Sequence, residues 1–273
     1  MGKIVRIGAV ACRAVVNAVE DNLATAARWA EKASADKIEL LLFPELNLTG
    51  YGTRGEAPVP IGPEHAACRE LAALAERLNI TLAAGMAWQD KPGAPKYLAH
   101  GLWLPSGEFY LYRKTHLGQR ERNEYAAGDE LPVYPLPDLT VGLHLCLEQH
   151  FPEIAQTLVL KGAQLILCPH ATPRLTAADR RESWHLSLRA RAYDNCVYVL
   201  ATNQVGDNGQ GTVYNGGAML ISPSGEVLAE DFSGEEALIA ADIDLSRVVD
   251  MRTTPQGMCR RFYALERRKE LYF

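Results

Sequence analysis

Three residues stand where their types and surroundings permit chemistry. In VGLHLCLEQHFPE, residues 141–153, Cys146 follows an alternating apolar run and precedes Phe151-Pro152-Glu153. Val141, Leu143 and Leu145 fall on one face of a strand, so His144 and Cys146 fall on the other, and Pro152 marks a passage from strand to helix. A thiol at such a turn lies near the N–H groups of a helix start, which favour thiolate and can hold an oxyanion. Two quieter readings of Cys146 stay open: an inert buried thiol, the usual fate of free cysteine, or a metal ligand with His144, His150 and Glu148. Against the metal, a strand spreads same-face residues apart, and neither CxxC nor HExxH spacing is present.

Glu45 sits in LLLFPELNLTGY, directly after an apolar strand. A carboxylate at that boundary is either a solvated loop acid or, if partly desolvated, one raised in pKa toward useful base strength. Lys114 follows the aromatic strand Phe109 to Tyr112 in FYLYRKTHLGQRERNEYAAGDE. An ammonium fixed at a strand end suits the oxyanion that develops in acyl transfer, although Arg113 beside it leaves a plain basic edge open. A G-x-S-x-G elbow and a P-loop are missing from the sequence.

The elements that must position these groups alternate along the chain. KIVRIGAVAC reads as a strand, and NLATAARWAEKASADK as a helix with Asn22 or Asp21 able to cap its start. IELLLFPE gives a short strand apolar on both faces, EHAACRELAALAERLN a helix, ITLAAGMAWQ a strand, and HGLWLPSGEFYLYRK a strand pair. LTVGLHLC, PEIAQTLVLKGA and QLILCP form the next strand, helix and strand. A helix from Ala177 to Asp194, the strand CVYVLATNQVG and the strand pair GGAMLISPSGEVLAE follow. The pattern predicts an α/β fold of mixed sheets covered by helices.

The 273 residues are 48% hydrophobic, with 22 Gly and 15 Pro spread throughout, which predicts one globular domain over 1–273. A net charge of −5 without a basic cluster argues against nucleic acid and anionic membrane as partners. The opening MGKIVRIGAV lacks the marks of a secretory signal, and no apolar run approaches about 18 residues, so a soluble, cytoplasmic protein is expected. Six scattered cysteines are expected to be reduced thiols.

Taken together, FPELNLTGY, YRKTHL and GLHLCLEQHFPE, in that order, resemble the nitrilase superfamily of carbon–nitrogen hydrolases. AQLILCPHATP, RARAYDNCVYVLATNQVG, GGAMLISPSGEVLAE and the terminal RRKELY extend the likeness over nearly the whole chain. The resemblance implies an αββα four-layer sandwich and a Glu-Lys-Cys triad of Glu45, Lys114 and Cys146. It implies a second glutamate, which counting back from Gly128 places at Glu121, with Glu124 as the rival. In the chemistry that follows, Glu45 takes the Cys146 proton, the thiolate forms a thioester with the acyl group, and Lys114 and the Leu147 N–H hold the oxyanion. No metal or organic cofactor is called for, and at least a homodimer is implied, with TTPQGMCRRFYALERRKELYF a candidate interface.

The chain departs from the family just after the cysteine. True nitrilases usually carry Trp there and many amidases Tyr or Asp, whereas this chain has Leu147. Leu98 stands where the family tends to show Asn. SWHLSLRARAYDN and GGAMLISPSGE look more like the amidase and carbamoylase branches, so a small linear amide is the expected substrate. An N-carbamoyl amine or other ureide comes next, then a nitrile, and a non-catalytic binding protein is the alternative from another class. His170 and Thr172 are expected to border the substrate pocket, and Arg174 to face a substrate carboxylate or solvent.

Overall fold

In β1 (Ile4–Ala11) the side chains of Val5, Ile7 and Ala9 enter one apolar cluster and that of Val10 enters another, so both faces of the strand are covered. The structure, a computed structural model, describes residues 2–52, 56–173, 176–253 and 268–271. Arg174 and residues 254–267, most of the predicted interface stretch, lie outside them.

After β1 the chain forms α1 (Val19–Ala35), β2 (Leu40–Leu42), α2 (Ala66–Leu78), β3 (Thr81–Gln89), β4 (Lys96–Trp103) and β5 (Phe109–Arg113). The next elements are β6 (Val133–Pro135), β7 (Thr140–Leu143), α3 (Pro152–Leu160), β8 (Leu165–His170), α4 (Ala177–Asn195) and β9 (Tyr198–Asn203). A small pair, β10 (Val205–Asp207) and β11 (Val213–Asn215), precedes β12 (Ala218–Ile221), β13 (Val227–Asp231), β14 (Ala237–Asp244) and α5 (Leu245–Thr253).

Two six-stranded sheets result, ordered β14-β1-β2-β3-β4-β5 and β13-β12-β9-β8-β7-β6. Each mixes parallel pairs at its centre, β1 with β2 with β3 and β7 with β8 with β9, with antiparallel strands outside them. The sheets pack face to face through Val5, Ile7, Leu40, Leu42, Leu143, Leu167 and Leu200, among others. Trp29, Leu71 and Leu74 of α1 and α2 cover the outer face of the first sheet, and Trp184 and Leu188 of α4 cover that of the second. This is the αββα sandwich expected from the sequence.

Two local expectations are corrected. α1 begins at Val19, and Asn22 lies inside it, its buried amide bonded to Val15 N–H, Val15 O and Leu48 O rather than to the helix start. β7 stops at Leu143 rather than running on to Cys146. The carboxylate of Glu148 receives the Leu145 N–H at 2.6 Å, which turns the chain into a 3-10 helix over Cys146–His150 before Pro152 starts α3.

Candidate active site

Open parallel sheets bind ligands beyond the carboxyl ends of their strands, and here those ends converge from both layers. Glu45 follows β2, Lys114 follows β5, and Cys146 and Thr172 follow β7 and β8. The main chains are tied across the sandwich: Glu45 N–H donates to His170 O at 3.2 Å, and Gln204 Nε2 donates to Glu45 O at 2.8 Å. The loop carrying Glu45 crosses close over β3, where a Cβ on Gly85 would collide with the Leu46 backbone.

Lys114 is the hub. Its Nζ donates to Glu45 Oε1 and to Glu121 Oε1, each at 2.8 Å, and all three side chains are buried. Tyr51 OH donates to the same Glu121 oxygen at 2.7 Å, and Gly118 N–H fills the other at 2.6 Å. Glu121 is thus the second glutamate that meets the lysine; Glu124 is exposed. The spacing to Gly128 has a physical reason: Gly128 N–H donates to Lys114 O at 2.8 Å, and a Cβ there would strike Arg113 O.

Cys146 takes a left-handed backbone, φ +47, which is strained for a residue with a Cβ and recurs at reactive positions. Its Sγ lies 3.0 Å from Thr172 Oγ1. Glu148, by sequence no more than a possible metal ligand, fixes the turn. Its buried carboxylate accepts from Tyr112 OH, Thr115 N–H, Thr115 OH and His116 N–H at one oxygen and from Leu145 N–H at the other. One side chain therefore locks the residues after Lys114 to the residue before Cys146.

Burial pushes the Glu45 carboxyl up to about 7, against the pull of the Lys114 ammonium. Burial also opposes the charge on Lys114, but Glu45 and Glu121 outweigh it and hold the ammonium protonated beyond its ordinary range. The Cys146 thiol is pushed up to about 11 by burial and then by Glu45, with Lys114 opposing both. Burial thus disfavours the charged form of both the thiol and the carboxyl. Glu45 Oε2 is buried without a hydrogen-bond partner, so a lone pair is free to take a proton.

A cleft of about 650 Å³ opens over these groups, lined by Lys114, Glu121, Cys146, Leu147, Thr172 and Val213 among others. Of the two residues expected to border it, Thr172 does. His170 does not: it is buried, its ring against Trp184 at 4.8 Å between centroids and its Nδ1 2.9 Å from Cys168 O. His144 is buried too, drawn down to about 3 by desolvation, whereas His150 is exposed. Among the described residues no three His, Cys, Asp or Glu side chains are grouped to hold a metal ion. None of the described helices is long and apolar enough to cross a membrane.

The model of the carbon–nitrogen hydrolase family matches residues 6–253. The chain belongs to that family. An omega-amidase of Xenopus tropicalis is 30% identical over 248 residues, covering 85% of this chain and 86% of its own. A nitrilase of Pyrococcus abyssi is 32% identical over 260 residues, 93% of this chain and 94% of its own. Among solved structures, a cysteine-to-alanine variant of a nitrilase-superfamily amidase from Nesterenkonia AN1 matches with a TM-score of 0.81 at 26% identity, covering 99% of this chain and 97% of that one. A glutamate-to-leucine variant of that amidase, TM-score 0.79, 26% identical, covering 98% and 95%, shows covalent addition of the acetamide moiety of fluoroacetamide at its active site cysteine. This carbon–nitrogen hydrolase is thus an amidase-type hydrolase.

Proposed function

We propose that the chain hydrolyses a small linear amide through a thioester on Cys146, with Glu45 as base and Lys114 as oxyanion donor. The observation that carries this reading is the lysine hub: one buried ammonium holds Glu45 and Glu121 at 2.8 Å each, at the foot of a cleft that Cys146 also lines. The cysteine adduct of the Nesterenkonia amidase supports the same role for Cys146. The 273 residues work as one catalytic domain.

The thiol proton passes to Glu45 as sulfur attacks the amide carbon, since a thiol held near 11 does not ionise alone at neutral pH. A carboxyl raised to about 7 is present in both forms near neutral pH, so it can take that proton as the carbon–sulfur bond forms and then return it to the departing amine. Two of the three Lys114 N–H bonds are engaged by Glu45 and Glu121, and the third, with the Leu147 N–H, meets the oxyanion of the tetrahedral adduct. Glu45 then deprotonates the water that cleaves the thioester, which releases the acid and restores the thiol. Glu121, fixed by Tyr51 and Gly118, orients Lys114.

Ammonia release from a panel of amides, ureides and nitriles tests the reading. Amides are expected to turn over and Cys146→Ala to abolish turnover; a panel with no ammonia above the variant defeats the hydrolase reading. Nitriles belong in the panel because the Pyrococcus relative bears the name nitrilase.

A further inference from the structure

Behind Thr172 lies a buried cation that the hydrolytic scheme does not use. Arg180, in the first turn of α4, is 2% exposed, and among the described residues it has no carboxylate partner. Its Nη2 donates to Thr172 O at 2.7 Å, its Nε has no partner, and its guanidinium lies 5.6 Å from the ring centre of Trp184, one helical turn on. Space for its stem comes from Gly217, at φ +114, where a Cβ would sit 3.1 Å from Arg180 Cδ. A guanidinium does not shed its proton on burial, so an unpaired one is unfavourable unless negative charge arises beside it.

That negative charge arises at Cys146. Thr172 joins the two: its Oγ1 lies 3.0 Å from Sγ, its N–H donates to Asn203 Oδ1 at 2.9 Å, and its carbonyl receives Arg180 and, at 3.4 Å, Asn203 Nδ2. With the backbone of Thr172 held at N–H and carbonyl alike, its hydroxyl stays on the sulfur. Besides Arg180, the titratable groups among the described residues that act on the thiol from the other elements include Glu45, Glu121, Lys114, Cys168, Tyr51 and Tyr214. Lys114 is the one cation among them, and two carboxylates already share it. Negative charge on Cys146 in turn favours the charged form of Arg180, against the burial that opposes it.

We propose that Arg180 is a positioning residue for the nucleophile: it pins Thr172 by its carbonyl so that the hydroxyl stays on Sγ, and its buried charge supports the thiolate. This rests on Cys146 being the nucleophile. The substrate contacts remain those of the cleft, which Arg180 does not line.

The test follows alkylation of Cys146 by iodoacetamide against pH, located by peptide mass mapping, beside kcat and KM for ammonia release. Arg180→Gln is expected to raise the alkylation midpoint by about one pH unit, a tenfold loss of thiolate, and to lower kcat about tenfold with KM changed less than about twofold. Arg180→Lys, which keeps the charge without the fork, returns the midpoint toward the parent while kcat stays reduced. Thr172→Val moves the midpoint in the same direction as Arg180→Gln, and the double variant falls short of the summed effects. An unchanged midpoint in folded Arg180→Gln overturns the proposal, as does a rise in KM confined to carboxylate-bearing amides at constant kcat and midpoint. Should Arg180→Gln not fold, Arg180→Lys and Thr172→Val decide it: an unchanged midpoint and kcat in both refutes the role. Ammonia release that survives Cys146→Ala would instead defeat the nucleophile reading, while the alkylation profiles still report on Arg180.

Discussion

Glu45 and Glu148 are both fully buried near the same cysteine, yet their surroundings differ in kind. Both oxygens of Glu148 are occupied, one by Tyr112, Thr115 and His116 and the other by Leu145. Glu45 has Lys114 on one oxygen and nothing on the other, and burial raises it to about 7. The two differ in the count of donors around their buried oxygens: Glu148 is saturated and ties loops together, whereas Glu45 keeps one acceptor free.

Substitution at Glu45 should break the contrast most sharply. Glu45→Gln is expected to lower kcat by about 10²–10⁴, the range for loss of a general acid–base, while the protein stays folded; ammonia release and a melting curve together check it. Glu148→Gln should do the opposite. Its amide NH₂ would face a donor at one oxygen position, leaving an N–H unpaired, and urea unfolding should record a loss of about 1–3 kcal/mol with a smaller fall in kcat than at Glu45.

Glu45 also leaves a mark on stability against pH. Its folded value near 7 lies above the ordinary 4.5, so the folded state keeps a proton that the unfolded chain releases between them. That contribution is complete below 4.5 and is lost as pH rises through 7. Melting temperatures across this window should fall for the parent relative to Glu45→Gln, and kcat/KM should climb over the same range as the base form appears; parallel melting curves would contradict the assignment. The smallest effect is expected from Tyr51→Phe, which removes one bond to Glu121. About 0.5–1.5 kcal/mol of stability and less than about tenfold in kcat should go, read by unfolding and by turnover.

Glu45, Lys114 and Cys146 stood out because each follows an apolar strand, but only the resemblance of FPELNLTGY, YRKTHL and GLHLCLEQHFPE to the nitrilase superfamily put them together as a triad. Glu121 was reached only through that resemblance, by counting back from Gly128, a glycine that the close approach of Arg113 demands. Glu148 gave no local signal of its clamp, since its partners Tyr112 and Thr115 lie 36 and 33 residues away. Arg180 was hidden for a related reason: beside it Arg181 pairs with Glu230 at 2.6 Å, and only tertiary packing separates the buried arginine from the paired one. β14 went unassigned because its partner β1 lies at the far end of the chain, with Ile4 opposite Asp244. His170 was misplaced by one strand residue, as β8 runs through it and turns it onto the helix side, leaving Thr172 to face the thiol.

Intact-mass spectrometry after brief mixing with the amide panel looks for the thioester on Cys146 itself. One added acyl group is expected, mapped to the peptide holding Cys146 and absent from Cys146→Ala. Ammonia release with no acyl group on Cys146 under rapid quenching, and with turnover retained in Cys146→Ala, would contradict it.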